Sequence, residues 1–396
     1  MERRLSPTRI AQAAVCPHFF YLEEFGDHSK RLQPTAGQQL DWERGREFEA
    51  GVVRSLEGVQ EPKWDGRDFQ QGLKATVALM EAGIPWIHSG VLAGSGVAGI
   101  PDLLRRDPGH SRFGDFSYAP VEIKGHKKVQ KKDILQVSAY ARILDEVLGE
   151  PCRKAGVWLN TGEVALVDVA KGRASLMAVL KQIEAIRGRK GGTEPIWCGA
   201  CPACPWIAHC KQEWKRLGHL SLLPGGGRGT VEKLGAIGIR TVPDLAKSDP
   251  KLVAGRVKMA KPTVMGLWHH ARARMEGRPL PVRKAKFPVG LPIVFYDIET
   301  FGGETFLHGL IRVDGSNREE RFFFADTLAE AGEAWRGFLE FIARDKESVI
   351  YCWADYERGC AEKSWAKFGG DEKAYEALMR RLTDQCAWTK KHFAFP

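Results

Sequence analysis

The sequence predicts an α/β protein of more than one domain, and three patterns carry this prediction. Short apolar strands dominate residues 86–124, and an amphipathic helix covers residues 132–148. A hairpin follows at residues 155–168, turned at an Asn-Thr-Gly sequence. Helix, strands, helix and strands in this order predict one unit with a mixed sheet flanked by helices. After a helical stretch, a second α/β pattern begins at residue 293.

Length and composition limit the classes of protein to which the chain can belong. A chain of 396 residues is too long for one core, so two or three domains are expected. No apolar run reaches about 18 residues, and the N-terminus lacks the apolar core of a signal peptide. We therefore expect a cytoplasmic protein without a membrane partner. The net charge of +10 favours polyanionic partners.

Two predicted strands bring acidic residues toward one edge of the first sheet. Asp102 lies in the apolar stretch 97–104, and Glu122 opens the triplet Glu-Ile-Lys that ends at Lys124. The turn signal at residues 107–109 predicts that the two strands form a hairpin. Two carboxylates suit Mg²⁺ or Mn²⁺ better than zinc, and Lys124 shares the strand face of Glu122. This set is suited to phosphodiester hydrolysis, whereas each residue alone fits a turn or a surface pair.

The helix that follows carries two further polar candidates. Gln136 and Tyr140 lie four residues apart and therefore share one helical face, next to the strand of Glu122. The ordered set of Asp102, Glu122-x-Lys124 and Gln136-x-x-x-Tyr140 resembles the RecB-type branch of the PD-(D/E)XK nucleases. The similarity covers about the first 215 residues. It implies that Gln136 and Tyr140 contact the DNA strand.

The same resemblance implies a metal site and a role for each residue. Asp102, Glu122 and the Ile123 carbonyl would hold Mg²⁺ or Mn²⁺, and Lys124 would assist the attacking water. In that family an upstream helix supplies a histidine or a glutamate as a further ligand. The corresponding segment here is 45–49, which contains no histidine. Glu49 is the first choice for this ligand, and Glu47 is the alternative.

Cysteines form a second pattern with metal-ligand spacing. Nine cysteines, an odd number without a secretory signal, favour metal or redox chemistry over a disulfide framework. Three of them form a C-x₂-C-x₅-C motif, with Cys198 just upstream and Cys16 far away in sequence. Spacing alone allows an iron–sulfur cluster or a structural zinc. The arrangement resembles the 4Fe–4S staple of iron–sulfur RecB-like nucleases, which implies the ligands Cys16, Cys201, Cys204 and Cys210.

The middle of the chain is predicted to be helical. Residues 223–245 read as two short helices joined by Gly-Ile-Arg, and a further helical region extends to about residue 276. The first part resembles a helix-hairpin-helix element, whose glycine-rich turn would present backbone N–H groups to a DNA phosphate. The glycines fit simple helix caps equally well.

The last part of the chain contains a second acidic signature. Asp297 and Glu299 close an apolar strand and share one face of it. This motif resembles the start of the DEDD exonucleases, which have a ribonuclease H-like fold and use two metals. The resemblance implies that Asp355, or Glu357 in its place, and Asp384 are the further ligands. Because residues 385–396 contain no acid, the last aspartate of that family is missing and the domain looks truncated.

These patterns together predict three domains and a function. Residues 1–215 form a RecB-like nuclease domain, 216–287 a helix-hairpin-helix module and linker, and 288–396 a partial ribonuclease H-like domain. The resemblance implies a metal-dependent DNA nuclease acting on single strands or ends in repair or recombination, with a helicase as a further partner. One alternative is a non-catalytic DNA-binding subunit on a decayed nuclease fold. Another places the chemistry in the C-terminal domain.

Overall fold

The computed structural model describes residues 5–94, 96–189, 192–284 and 292–396. The chain divides into two units, Met1–Thr241 and Val242–Pro396. Their border lies inside the helical region predicted at 216–287, and the predicted boundary at 287/288 lies outside the described residues. The division into three domains therefore stays a prediction. Among the described residues, no helix is long and apolar enough to cross a membrane.

The first unit contains both helices and strands. Its helices are α1 (Pro7–Val15), α2 (Pro17–Phe25), α3 (Ala36–Arg54), α4 (Phe69–Glu81), α5 (Lys131–Leu148), α6 (Val169–Arg189), α7 (Ile207–Leu217) and α8 (Arg228–Gly235). Its strands are β1 (Val59–Gln60), β2 (Trp86–His88), β3 (Leu92–Gly94), β4 (Val97–Gly99), β5 (Leu103–Ser111), β6 (Gly114–Lys124), β7 (Lys154–Leu159) and β8 (Val164–Asp168). Short 3₁₀ turns cover His28–Lys30, Cys201–Ala203 and Leu220–Leu222.

A six-stranded mixed sheet forms the centre of the first unit, with the order β1-β2-β5-β6-β7-β8. The pairs β1/β2 and β6/β7 are parallel, whereas β2/β5, β5/β6 and β7/β8 are antiparallel. The parallel pair β6/β7 requires a crossover connection, and α5 provides it. The predicted mixed α/β sheet with flanking helices is confirmed at this level.

The hairpin between Asp102 and Glu122 is longer than the sequence predicted. Strand β5 continues through the supposed turn at 107–109 to Ser111, and the chain reverses at residues 112–113. The prediction of a turn at 107–109 is therefore wrong. The register is irregular between Pro108 and Ser111. A proline tolerates such a position because it has no N–H to donate to the ladder there.

Helix packing fixes α5 behind the sheet. The helix begins after Gln130, where Asp133 accepts the Gln130 N–H at 2.8 Å, and it ends at Gly149, with φ +71°. Helices α1 and α6 both contact α5, and its apolar face lies in the main core with residues such as Ile143 and Leu144. Burying such side chains contributes about 1.5–3 kcal/mol each, which holds the polar face of α5 against the end of β6.

The second unit has its own helices and strands. Its helices are α9 (Val242–Lys247), α10 (Pro250–Arg256), α11 (Lys261–Glu276), α12 (Ala331–Arg344), α13 (Tyr356–Phe368), α14 (Glu372–Arg381) and α15 (Gln385–His392). Its strands are β9 (Leu280–Pro281), β10 (Ile293–Phe301), β11 (Glu304–Asp314), β12 (Asn317–Phe324), β13 (Val349–Cys352), β14 (Leu382–Asp384) and β15 (Phe393–Ala394).

A five-stranded sheet forms the centre of the second unit, with the order β12-β11-β10-β13-β14. Strands β10, β11 and β12 are antiparallel neighbours, and β13 and β14 continue the sheet in parallel. The core packs β10, β11 and β13 against α12, with Trp335 and Phe338 fully buried. The expectation that this domain is truncated is not tested by these contacts and stays a prediction.

Candidate functional site

Strand register brings Asp102 and Glu122 together in the first unit. Asp102 directly precedes β5, and the pairing of Leu103 with Val121 sets the start of β5 beside the end of β6. The Ile123 N–H donates to Asp102 Oδ2 at 2.7 Å. The two acids therefore lie close together, as predicted, but at the ends of two central strands of the sheet.

Glu122 is the centre of this group and is only 1% exposed. Its Oε2 atom accepts hydrogen bonds from Lys124 Nζ at 2.6 Å and from the Gln136 side-chain amide at 2.7 Å. Among the described atoms, its Oε1 atom has no hydrogen-bond partner. A buried carboxylate oxygen without a partner is unfavourable, so this atom is a natural ligand position for a cation.

The pKa values of Asp102, Glu122 and Lys124 reflect the repulsion between the two buried carboxylates. Burial, followed by the charge of Asp102, raises the pKa of Glu122 to about 8, against the opposing effect of Lys124. Burial also raises the pKa of Asp102, again opposed by Lys124. Burial by itself would lower the pKa of Lys124, but the charges of Glu122 and Asp102 outweigh it and raise that pKa. Two buried carboxyls that resist joint ionisation are typical of functional sites.

Tyr140 is buried near Asp102 and Glu122 and does not reach the surface. The side chain is 2% exposed, and burial together with the charges of Glu122 and Asp102 raises its pKa. A Cβ atom on Gly99 would lie 3.1 Å from the Tyr140 hydroxyl, so glycine at 99 leaves room for the ring. The predicted DNA contact fits the half-exposed Gln136 better than Tyr140, which a DNA strand cannot reach in this structure.

Two further side chains lie near the acids: Glu49, the first choice for the upstream ligand, and His88, which the sequence did not reveal. Glu49 Oε1 on α3 is 3.3 Å from His88 Nε2, and Glu61 Oε2 is 3.8 Å from His88 Nδ1. The hydrogen bond with Glu49 raises the pKa of His88, and the charge of Asp102 adds to it. Glu47, the alternative to Glu49, is exposed. His88 directly precedes the positive-φ residue Ser89, and no ligand spacing in the sequence marks it.

The predicted cysteines converge although they are far apart in sequence. Cys16, Cys201, Cys204 and Cys210 line one small cavity, whose other walls include Trp206 and Trp214. The fifth thiol lies next to it, since Cys198 Sγ is 3.8 Å from Cys201 Sγ. Hydrogen bonds from Cys16 and Cys201 lower the pKa of Cys198. Four thiols around one cavity are the donor set of an iron–sulfur cluster or a zinc ion.

The predicted helix-hairpin-helix segment consists of α8 and α9, which belong to different units. In the turn after α8, the N–H groups of Ile237, Gly238 and Ile239 donate to carbonyls of Leu234 and Gly235. These donors are engaged within the turn itself. Phosphate binding by this segment stays a prediction.

Acids of the second unit lie on or just after three neighbouring strands, β10, β13 and β14. Asp297 and Glu299 are exposed on β10, and Asp384 closes β14, where its side chain accepts the Ala387 N–H at 3.0 Å. Glu357, in the first turn of α13, is 4% exposed, and its Oε2 has no partner among the described atoms. Burial raises the pKa of Glu357, and the charges of Asp297 and Asp384 add to this effect.

Asp355 lies apart from this group. Its side chain is 78% exposed and forms an ion pair with Arg358 Nε at 3.2 Å. The structure therefore favours Glu357, the alternative at this position, over Asp355. Across the described ranges of both units, no group of three or more His, Cys, Asp or Glu side chains is already arranged to hold a metal ion.

Comparison with known proteins identifies the second unit's sheet. Residues 294–392 match a family model described as RNase_H superfamily. No curated protein matches the chain. The matched range begins in β10 and ends with α15, and it includes Asp297, Glu357 and Asp384. This part of the chain is therefore a ribonuclease H-like domain, which is a nuclease-type fold.

Proposed function

We propose that the chain is a metal-dependent deoxyribonuclease that hydrolyses phosphodiesters at the Asp102–Glu122–Lys124 site, on single strands or DNA ends, in repair or recombination. One observation carries the proposal: a buried glutamate has one oxygen held by Lys124 and Gln136 and the other oxygen unpartnered. The resemblance to RecB-type nucleases and the positive net charge support it.

The donor set fits a hard divalent cation. Asp102, Glu122 and the Ile123 carbonyl would hold Mg²⁺ or Mn²⁺, with Glu49, whose charge adds to the raised pKa of Asp102, as a further carboxylate. When bound, the cation supplies a Lewis acid that stabilises charge on the phosphate. Lys124 keeps its positive charge beside Glu122. This charge would orient an attacking water and neutralise a phosphate oxygen. Gln136 fixes the orientation of Glu122 by its amide.

The test compares two lysines in the metal-loaded full chain. Lys124→Ala should lower cleavage of labelled single-stranded DNA by at least about 100-fold, the usual scale for a group that assists proton transfer. Lys171→Ala is the matched control, because Lys171 is exposed and forms only a surface pair with Asp168 at 3.2 Å. Retained cleavage in the Lys124→Ala protein would refute the assignment. Binding of DNA without any cleavage by the wild type would favour the non-catalytic subunit.

An alternative places the catalytic centre in the ribonuclease H-like domain instead. The unpartnered Glu357 oxygen and the charges of Asp297 and Asp384 around it support this alternative. Asp297→Asn then abolishes cleavage while Lys124→Ala leaves it intact. If both variants lose part of the activity, both sites are catalytic.

We further propose that Cys16, Cys201, Cys204 and Cys210 hold a 4Fe–4S cluster that ties the N-terminal helices to α7 and to the turn that precedes it. A link between residues this far apart in sequence strongly restricts the unfolded chain. Anaerobic purification should give a visible iron–sulfur absorption band. Cys204→Ser should lose this band and lower the melting temperature, whereas Cys386→Ser should change neither. A colourless wild-type protein that contains zinc would show that the four cysteines hold zinc and not an iron–sulfur cluster.

A further inference from the structure

Five thiols meet at the cysteine-lined cavity of the first unit, one more than the four proposed ligands. Cys16, Cys201, Cys204 and Cys210 line the cavity, whereas Cys198 lies beside it. All five are free thiols in the structure. Four thiolates complete a zinc site or a 4Fe–4S cluster, so the chemistry of Cys198 has to follow from its own contacts.

Cys198 and Cys201 form a Cys-x-x-Cys pair on a hydrogen-bonded turn. The Cys201 N–H donates to the Cys198 carbonyl at 3.0 Å, which closes a turn over Gly199 and Ala200. A β-turn holds its first and last Cα atoms within about 7 Å of each other. A disulfide requires Cα atoms about 4.4–6.8 Å apart, so the backbone of this turn is compatible with one.

The two sulfur atoms of this pair are already in contact. Cys198 Sγ lies 3.8 Å from Cys201 Sγ, and the Cys198 N–H donates to Cys201 Sγ at 3.3 Å. A rotation of the two side chains is therefore enough to bring the sulfurs to bonding distance. Cys16 also forms a hydrogen bond with Cys198, but it comes from a distant segment of the chain. The turn itself keeps Cys201 in place, which favours Cys201 as the partner of Cys198.

The two thiols differ in their access to solvent. Cys201 is 7% exposed, whereas Cys198 is half-buried, and Gly199 and Ala200 between them are exposed. A small oxidant from solvent therefore reaches Cys198 first. The buried neighbour is then in place to react with the oxidised sulfur, an arrangement that is typical of redox-active cysteine pairs.

We propose that Cys198 and Cys201 are a redox-active dithiol that reduces peroxides and becomes a disulfide while the neighbouring cavity is empty. With hydrogen peroxide, the Cys198 sulfur attacks one oxygen and becomes a sulfenic acid, and the other oxygen leaves as water. The Cys201 sulfur then attacks the Cys198 sulfur, the S–S bond forms, and the sulfenic oxygen leaves as a second water. Two electrons pass from the thiols to the peroxide, and both thiol protons end in water.

This reaction competes with metal binding for the Cys201 sulfur. Cys201 is one of the four proposed ligands, so the competition rests on the proposed metal centre, whereas the dithiol itself does not. A disulfide leaves three thiols on the cavity wall, one fewer than a structural zinc ion or a 4Fe–4S cluster requires. Oxidation therefore prevents metal loading, and a bound metal protects Cys201 from oxidation.

The first experiment counts free thiols in the metal-free full chain after one molar equivalent of hydrogen peroxide. The wild type should lose two of its nine thiols, and dithiothreitol should restore them. Cys198→Ser should lose thiols at least about tenfold more slowly, because the accessible sulfur is gone. Cys386→Ser is the matched control, because Cys386 is also half-buried but lies in the second unit, and it should react at the wild-type rate. Equal rates in the wild type and Cys198→Ser overturn the proposal.

Peptide masses then identify the partner of Cys198. Trypsin leaves Cys198, Cys201, Cys204 and Cys210 on one peptide, because no lysine or arginine lies between residues 190 and 211. The expected product is this peptide with an internal disulfide and with Cys204 and Cys210 still open to alkylation. A cross-link to the peptide that contains Cys16 contradicts the proposed pair. In Cys201→Ser, dimedone should trap a sulfenic acid on Cys198, and an unmodified Cys198 is likewise incompatible with the proposal.

Metal content separates this proposal from the proposed cluster. The metal-free chain is loaded anaerobically with Fe²⁺ and sulfide before and after oxidation. Oxidised wild type should take up at least about tenfold less iron until dithiothreitol is added, whereas Cys198→Ser should load equally in both states. Iron uptake by untreated Cys198→Ser that is as low as that of Cys204→Ser would make Cys198 a ligand and refute the proposal. A wild type that binds neither iron nor zinc refutes the proposed metal centre alone, because the thiol counts still test the dithiol.

Discussion

The buried histidine of the ribonuclease H-like domain makes the stability of that domain depend on pH. His308 is fully buried between Tyr296, Trp335 and Phe338, and its Nδ1 lies 2.8 Å from the Tyr296 hydroxyl. Its Nε2 has no partner among the described atoms, so the charged ring would have nowhere to donate its second proton. Burial accordingly lowers the pKa of His308 from 6.5 to about 4.

The sign of the effect follows from proton binding. Between the two pKa values the unfolded chain binds a proton at this residue and the folded chain does not, so stability is lost as pH falls from 6.5 toward about 4. The shift corresponds to about 3 kcal/mol in full, at about 1.4 kcal/mol per pKa unit. Most of this loss should be present by about pH 4.5.

The assay compares the unfolding free energies of wild type and His308→Phe in urea at a series of pH values. Phenylalanine keeps the stacking on Phe338 but leaves the Tyr296 hydroxyl unpartnered, which costs about 1–3 kcal/mol at neutral pH. The difference between the two proteins should shrink or reverse as the pH falls. Y296F/H308F removes the unpartnered hydroxyl and should show the same pH dependence relative to wild type. A difference that stays constant from neutral to acid pH contradicts the reasoning.

Three further substitutions test the packing around the two candidate sites. Phe338→Ala should lower the unfolding free energy by about 3–5 kcal/mol, because the ring is fully buried; denaturant unfolding measures this, and a loss below about 1 kcal/mol would refute it. Ala354→Gly should raise the melting temperature slightly by relieving the strain at φ +145°; an unchanged or lower melting temperature would contradict this. Gly99→Ala would place a Cβ atom 2.8 Å from Pro7 Cδ and 3.1 Å from the Tyr140 hydroxyl, so it should lower both the melting temperature and cleavage; wild-type values of both would contradict this.

Local patterns allowed much of the first unit to be predicted from sequence. The helix predicted at 132–148 is α5 (Lys131–Leu148), and the hairpin predicted at 155–168 is β7 and β8. Both depend on periodicity and turn residues that act over a few positions. The turn predicted at 107–109 failed because antiparallel pairing with β6 extends β5 across a Pro-Gly sequence that is a turn signal in isolation. Tertiary pairing overrode local propensity there.

Contacts between distant residues could not be predicted in the same way. His88 was missed because its partners, Glu49 and Glu61, come from other segments of the chain, and no spacing links the three. The choice between Asp355 and Glu357 depends on which side chain the first turn of α13 buries. Alternation along a strand indicated that Asp297 and Glu299 share a face. The choice of Glu357 as the third acid depended instead on the geometry of α13.

The two units arrive at a similar local arrangement from unrelated sequences. In each unit a glutamate is almost fully buried, has one oxygen without a partner among the described atoms, and has its pKa raised by burial and by a neighbouring aspartate. Such a group destabilises the fold in the absence of a ligand, since one of its oxygens has no partner and its negative charge is buried beside another carboxylate. A bound cation would coordinate the unpartnered oxygen and also neutralise the buried negative charge. Added Mg²⁺ or Mn²⁺ should therefore raise the melting temperature of the wild type, and Glu122→Gln and Glu357→Gln should each remove part of that increase. An equal increase in the wild type and in both variants would mean that the cation binds elsewhere.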